Sequence, residues 1–317
     1  MLGETSSKVH SWAHRAGGAL HTELARRPAL AERWFSALSL LRHVPPGEYK
    51  QRIINSIAAT EWPQLTIKPQ RVVLGASTEV VLRPHPGEFD FQALFDQRLD
   101  YERPMFEWLE SSLGNYDTVI EIGANVGIYT VFMAALKRAR GLRKPRVVSF
   151  EPSREAFARL LDNIALNGGD SEVFNCAVSD RAGVAELFEP HGHLTNGSLD
   201  PSFARTFSTD VRSTRVLVIG GDELALIAPS PGRTLLKIDV EGAEPLVLRG
   251  LRSWVEASHP DVILEVLPGY DSTLREQDYF GALGYRFMRV EQRGPVDVAP
   301  YEASNEHRDH LLLAPSR

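Results

Sequence analysis

An acid, and a run of small residues some twenty-five positions before it, carry the first chemical signal in this chain. Val119, Ile120 and Ile122 form a short apolar run of the kind that makes a buried parallel strand. Gly123, Ala124, Asn125 and Gly127 follow as a tight turn of small residues, and an apolar helix starts at once from Ile128. Glycines at such a turn let the backbone come close to a ligand, and the free N–H groups of the helix start point at it. The acid is Glu151, at the end of the apolar run from Val147. The next helix repeats Phe157, Leu160, Leu161 and Ile164 at i, i+3, i+4 and i+7 and closes at Asn167-Gly168-Gly169. An acid at the tip of the second strand of a β-α-β unit is placed to accept both hydroxyls of an adenosine ribose.

Two nucleotide chemistries share that layout. A dinucleotide oxidoreductase would show G-x-G-x-x-G with the acid nearer to the glycines; here the loop reads G-A-N-V-G and lacks the third glycine. It suits S-adenosylmethionine better, which has no pyrophosphate to cradle. A second constellation is Lys237, Asp239 and Glu241, where a strand normally buried on both faces carries a lysine, an aspartate at its tip and a glutamate opening the next helix. The three share one side if the strand runs straight to that point. Glu265, near the end of the next apolar run, repeats the anomaly. Charges in central strands are costly unless paired or functional, so acids on two neighbouring strand ends beside the ligand crevice make an active-site signature.

After residue 117 strands and helices alternate, which predicts an α/β fold. The expected architecture is a doubly wound, mostly parallel, seven-stranded Rossmann-like sheet with helices on both faces. Its strands are 118–122, 146–150, 172–178, 234–240, 261–267, 285–290 and 310–314. Between 179 and 233 two added strands (184–188 and 215–219) flank a loop rich in Gly, Asn and Ser, and such insertions at a sheet's carboxyl edge are where ligands are met. Residues 1–85 read as an N-terminal helical extension with short strands, and 86–317 as the catalytic domain. In the extension, Leu30, Trp34, Leu38 and Leu41 form an apolar stripe after Pro28. Trp34 and Phe35 lie on that helix without an obvious partner, so homo-oligomerisation through these helices is an expectation. Net charge of −6 gives no basic field, which argues against nucleic acid. No apolar run is long enough to span a bilayer, no leader is visible, and the single cysteine, Cys176, fits a reducing cytoplasm.

The ordered set VIEIGANVGIYT, SFEPSREAFARLLDNIALNG, CAVSDRAGVAELF, NGSL, GGDEL, LLKIDVEGAEPLVLRG and VILEV resembles the FkbM-type methyltransferases, a branch of the class I S-adenosylmethionine-dependent enzymes. The resemblance spans about residues 100–270. It implies O-methylation of a hydroxyl on a sugar, polysaccharide or polyketide-type product, and so a small-molecule or glycan acceptor. It also assigns expected roles. Gly123, Ala124, Asn125 and Gly127 form the cofactor loop, Glu151 holds the ribose, and Glu121, where the family more often has Asp, meets the methionine amino end. Position alone adds two expectations: Tyr101-Glu102, just before the first core strand, could close over that same end, with packing of the Tyr against the strand as the simpler reading, and Ala177 and Val178, at the end of the third strand, should lie near the adenine.

An aliphatic hydroxyl is barely ionised at neutral pH, so a base helps as its proton leaves. Asp239 is one candidate, with holding the methionine amino group as its rival role. Glu265 is another, with an ion pair to Lys237 as the structural alternative. His193 offers a neutral-pH base from the inserted loop, and His191, Asn196, Ser198 and Glu241 are candidate acceptor contacts, although solvation, turn formation and a helix N-terminus explain them as well. Asp239, Glu241 and Glu265 also offer oxygens to a hard cation such as Mg²⁺, but no supporting pattern is visible in sequence and no metal is expected. The competing functions are a non-catalytic methyltransferase-fold scaffold or subunit and an NAD-linked oxidoreductase.

Overall fold

The computed structural model describes residues 20–315 apart from 46, 59, 61, 63, 64, 87, 193, 230, 231, 305 and 306. By compactness the chain divides into two units: residues to Val73 with Val81–Leu99, and Leu74–Val80 with Asp100–Arg317. The sequence-based boundary between residues 85 and 86 stands beside this division as a proposal.

In the first unit, helices α1 (Pro28–Leu38) and α2 (Glu48–Ala58) lie in a core of Leu24, Ala31, Phe35, Ile57, Phe91, Leu94 and Phe95. Pro28 opens α1, where its missing N–H costs nothing. The buried stripe is offset from the expected one: Ala31 and Phe35 are enclosed, and Leu30 is exposed. Phe35 meets Trp62 and Phe91 edge-on, and Trp34 stacks on Trp62 with ring centroids 6.0 Å apart. Both aromatic residues therefore have partners within their own unit, which removes the observation that suggested self-association. The part of the expected N-terminal helix before residue 20 lies outside the described residues.

Strands β1 (Gln70–Leu74) and β2 (Thr78–Leu82) pair as the expected hairpin. Its tip is held by Glu110 of α3 (Arg103–Ser112), whose carboxylate accepts hydrogen bonds from the N–H groups of Ala76, Ser77 and Thr78 and from the Thr78 hydroxyl.

Between β3 (Thr118–Ile122) and β4 (Arg146–Phe150) runs α4 (Ile128–Ala139); α5 (Arg154–Leu166) leads to β5 (Glu172–Phe174). The insertion holds β6 (Ala177–Val178), β7 (Gly183–Pro190), α6 (Pro201–Phe207), β8 (Val211–Ile219) and α7 (Gly221–Ile227). The chain then returns through β9 (Thr234–Ile238), α8 (Glu244–Ser258), β10 (Asp261–Glu265) and α9 (Asp271–Glu276). Strands β11 (Arg286–Glu291), β12 (Gly294–Asp297) and β13 (Asp309–Leu313) complete it.

The main sheet has eight strands in the order β12-β11-β13-β10-β9-β3-β4-β5. From β5 to β10 neighbours are parallel; β13, β11 and β12 join antiparallel. The eighth strand is β12, a polar hairpin return that sequence periodicity did not mark. Every residue of β3 and β9 is buried. One face (Ile120, Ile122, Val148, Phe150, Leu236, Ile238) packs on Leu248, Leu251 and Val255 of α8. The other turns Glu121 and Lys237 toward Thr130 and Tyr129 of α4.

The expected strand 172–178 is two strands in two sheets. Its first half is β5. The chain then bends at Asn175, and β6 pairs with β8 in a separate three-stranded sheet ordered β6-β8-β7. Because the chain winds β3-β4-β5 outward and then returns to place β9 on the other side of β3, the strand order reverses at β3. The crevice beyond the carboxyl ends of β3, β4 and β9 is the topological switch point at which such sheets bind ligands.

The Glu110 anchor generates a prediction. Burial works against its charge, but the Thr78 hydroxyl and the backbone N–H groups outweigh it and hold the Glu110 carboxyl below its ordinary pKa. Glu110→Ala leaves three N–H groups without their acceptor and should cost about 1–3 kcal/mol in urea denaturation at neutral pH. Since the folded pKa is depressed, this stabilisation is present above the unfolded pKa and is lost as pH falls through the folded one. The gap between wild type and variant should therefore narrow in acid.

Candidate active site

The cofactor-type loop is built on one close approach. Gly123, at φ +87°, sits so near the end of β9 that a Cβ there would lie 1.7 Å from the Asp239 carbonyl oxygen. Asp239 N–H in turn donates to Ile122 O at 3.0 Å. Gly127, at φ +86°, lets the start of α4 approach α5, where a Cβ would meet Leu160 Cδ1 at 2.2 Å.

The loop's N–H groups differ from expectation. Those of Gly123 and Ala124 donate to Phe150 O, that of Gly127 to Ala124 O, and that of Asn125 to Glu151 Oε2 at 2.7 Å. They brace the loop on itself and on the end of β4 and are not free for a ligand. The Asn125 side chain, on a left-handed backbone, instead donates to Thr195 O at 3.4 Å, and its amide oxygen is buried with no partner among the described residues.

Glu151 stands at the tip of β4 as expected. It is buried and accepts from the N–H of Asn125 and, through its other oxygen, from that of Ser153 at 2.7 Å. Burial dominates and pushes its carboxyl up to about 7, although those two hydrogen bonds favour the charged form.

Glu121 lies inside the sheet. It is the register partner of Lys237 and accepts from Thr130 Oγ1 at 2.5 Å and Ser149 Oγ at 2.9 Å. Burial raises its pKa against the pull of Lys237. Lys237 Nζ donates to Asp239 Oδ2 at 2.7 Å and lies 4.4 Å from the centre of the Tyr129 ring. Burial disfavours the ammonium, but Asp239, Glu102 and Glu121 outweigh it and its pKa is raised. The Lys237–Glu265 ion pair foreseen as the structural alternative is thus replaced by Lys237–Asp239. Glu102, left-handed at the start of α3, accepts a short hydrogen bond from the Tyr129 hydroxyl, and burial with the nearby Asp239 raises its pKa despite Lys237.

The turn after β9 departs from expectation in one respect. Glu241 does not open the helix; it sits in the turn at φ +56°, half-buried. Glu244 opens α8, and its carboxylate accepts from the N–H groups of Val240 and Gly242. Glu241 is thereby left with its side chain among acids, and burial together with Asp239 pushes it up to about 8. One carboxylate oxygen each of Asp239, Glu241 and Glu265 lie within 4.8 Å of one another.

Glu265 has only a loose ion pair, Arg308 at 3.8 Å from Oε1, and its Oε2 is buried without a partner among the described residues. Burial and then Asp239, Glu241 and Asp309 raise its pKa strongly. Asp309, the antiparallel register partner of Glu265, belongs to this cluster and sequence reasoning missed it. Asp309 sits in a polar stretch between Arg308 and His310, ahead of the apolar run Leu311–Leu313, and gives no signal of its own in the sequence.

Ala177 and Val178 pair with β8 in the small sheet, Val178 buried in the cluster that includes Ile122 and Phe150 and Ala177 against Leu187, Val216 and Val218. The residue at the Glu151 turn is Asn175, whose amide donates to Glu151 O at 2.8 Å and Pro152 O at 3.1 Å. Ser198 is buried, and its hydroxyl donates to Glu241 O at 2.6 Å while accepting from Asp200 N–H, so it braces the Glu241 turn. Asn196 lies in the turn Leu194–Asn196, its amide oxygen accepting from the Thr195 hydroxyl. His191 is exposed, its N–H bonded to Asp210 O. His193 lies outside the described residues.

Residues 121–287 match the Methyltransferase FkbM domain. A hexuronic acid methyltransferase, AglP, of Haloferax volcanii is 28% identical over 155 residues, which cover 49% of this chain and 58% of that protein. The 31-O-demethyl-FK506 methyltransferase FkbM of Streptomyces tacrolimicus is 28% identical over 214 residues, covering 58% of this chain and 74% of that one. The chain thus spans less than two thirds of the first relative's length. The crystal structure of methyltransferase FkbM from Methylobacillus flagellatus KT is 15% identical, with a TM-score of 0.39, over 71% of this chain and 52% of that one. No helix among the described residues is long and apolar enough to cross a membrane.

The two loop glycines should respond differently to the same substitution. Gly123→Ala meets a backbone carbonyl and a left-handed φ together, and should destabilise by on the order of 2–4 kcal/mol. Gly127→Ala shares the φ penalty but meets the tip of a leucine that can turn aside, so its loss in a urea titration should be clearly smaller.

Proposed function

Because this chain belongs to the FkbM family of S-adenosylmethionine-dependent methyltransferases, we propose that it methylates a hydroxyl of a sugar, polysaccharide or polyketide-type product. The observation that carries the reading is the convergence, at the switch point, of the Gly123–Gly127 loop, the Glu151 carboxylate and Asp239. The residues fit the cofactor: the orphaned Asn125 amide oxygen lacks a donor, and each Glu151 oxygen has one N–H partner and room for a second.

When bound, the cofactor supplies an electrophilic methyl group. Glu151 would accept the ribose hydroxyls. Asp239 and Glu102, both beside Lys237, would receive the methionine amino group. Lys237 holds Asp239 in one orientation. Glu265, whose raised pKa makes it a stronger base once ionised, is suited to take the acceptor's proton as the oxygen is alkylated. The remaining work is alignment and exclusion of water. A hexuronic acid or polyketide-like hydroxyl, as named for the relatives, is the acceptor class to screen first. A reducing, cytoplasmic setting and a separate N-terminal extension over residues 1–85 complete the proposal.

Calorimetric titration with S-adenosylhomocysteine and, separately, NAD⁺ tests the cofactor class. Micromolar affinity for the former alone supports the proposal; a preference for NAD⁺ overturns it. Glu151→Gln should weaken S-adenosylhomocysteine by roughly ten- to hundredfold, since hydrogen bonds to a charged acceptor are worth ~1.5–3 kcal/mol. With the Glu151 carboxyl near 7, its ionised form grows as pH rises from 6 to 8. Wild-type affinity should rise across that window, whereas the Gln variant should stay flat.

A further inference from the structure

We propose that Tyr129 is a positioning residue for the methionine end of the cofactor site, setting Glu102 with its hydroxyl and Lys237, and so Asp239, with its ring. The proposal rests on the methyltransferase reading above, in which Glu102 and Asp239 receive the amino group. Tyr129 is the second residue of α4 and follows directly on the Gly123–Gly127 loop, so its backbone is placed by the same turn that closes on Asp239. The side chain is 4% exposed, and its ring lies against Phe106 of α3, with centroids 4.5 Å apart.

Two contacts leave different parts of that one side chain. At the ring's edge the hydroxyl donates to Glu102 Oε2, a hydrogen bond that strengthens when the carboxyl is ionised. Over the ring's face Lys237 Nζ lies 4.4 Å from the centre, within the ~6 Å over which an ammonium is drawn to an aromatic ring. The same ammonium donates to Asp239 Oδ2 at 2.7 Å. One phenol thus couples a glutamate that precedes β3 to an aspartate that follows β9, two chain segments that meet only in the folded sheet.

The Glu102 backbone is an independent sign that the hydroxyl contact has a use. Glu102 is left-handed, at φ +39° and ψ +38°, although it is not a glycine, and its side chain does not cap α3. A side-chain-bearing residue in that region is strained, persists only where its surroundings hold it, and is found most often at functional sites. Here the side chains of Tyr129 and Tyr101 are its hydrogen-bond partners. Packing alone asks nothing of the Tyr129 hydroxyl. A phenylalanine would keep the contact with Phe106 and the face beneath Lys237, and only the bond to Glu102 would go.

The test titrates the full chain calorimetrically with S-adenosylhomocysteine and with 5′-methylthioadenosine, which keeps the adenosine and the thioether but lacks the amino-acid end. Tyr129→Phe should weaken S-adenosylhomocysteine about tenfold, while 5′-methylthioadenosine stays within about twofold of wild type. The unchanged second ligand shows that the variant is folded and that the ribose end is intact. In a Glu102→Gln background, Tyr129→Phe should weaken S-adenosylhomocysteine by about threefold at most, because the hydroxyl acts through that carboxylate. Equal weakening of both ligands, or of neither, overturns the positioning role and leaves the methyltransferase reading standing. A loss undiminished in the Glu102→Gln background does the same, and that background alone decides if 5′-methylthioadenosine binds too weakly to titrate. Wild-type protein that binds neither ligand fails the methyltransferase reading and the proposal with it.

Discussion

The contact on which the crevice depends is the approach of Gly123 to the Asp239 carbonyl, a separation that no side chain at position 123 would permit. It joins the carboxyl ends of β3 and β9 at the point where strand order reverses. The loop is fastened to the third strand end as well, through the N–H groups of Gly123 and Ala124 on Phe150 O. With three strand ends tied at one turn, Glu151 and Asp239 are held at fixed places on either side of it. Rigidity at this point comes from backbone hydrogen bonds, which cost little to maintain once the sheet has formed. The loop is therefore preorganised rather than shaped by what it binds.

The buried acids of this fold sort by what satisfies them. Glu110 and Glu244 are saturated by backbone N–H groups, and each fastens a turn. Glu121 is held by two hydroxyls inside the sheet. Glu241 and Glu265 have no such donors and are pushed toward the neutral form by burial and by one another. A protein that needed only stability would replace them with apolar residues of similar volume. Their retention in a crevice, next to a buried lysine that already serves Asp239, marks them for chemistry rather than for structure.

How much of this was legible in the sequence follows from how local each signal is. Strands β3, β4, β9 and β10 announce themselves as apolar runs because both of their faces are buried. The Gly loop and Glu151 are read from a turn and a strand tip that lie within one β-α-β unit. The division of 172–178 between two sheets was not legible, since the segment reads as one strand-like run and only the distant β8 claims the second half. Glu241 was expected to open the helix that Glu244 opens, because both precede the same apolar run and only the left-handed backbone at Glu241 separates them. Asp309 joins the acid cluster through antiparallel pairing with Glu265, a contact 44 residues distant in sequence that no spacing rule reaches. Trp34 and Phe35 looked partnerless for the same reason, their partners being Trp62 and Phe91.

The insertion between β5 and β9 is fastened to the strand ends of the main sheet without altering their own turns. Its strand β7 sends Glu189 to the Ser153 hydroxyl at 2.6 Å, beside Glu151. Thr195 accepts from Asn125 of the Gly loop, and Ser198 donates to the Glu241 carbonyl. Asp200, capping α6, then accepts from the Tyr270 hydroxyl at 2.9 Å. Four successive points of one segment thus touch the turns after β3, β4, β9 and β10. The contacts are made by the insertion's side chains and carbonyls onto turns of the sheet that are braced by their own backbone hydrogen bonds, so residues between the anchors can change without disturbing the Gly123–Asp239 contact. The stretches between the anchors are thereby the part of this segment free to vary, while the strand ends that carry Glu151 and Asp239 stay fixed by the anchors on either side.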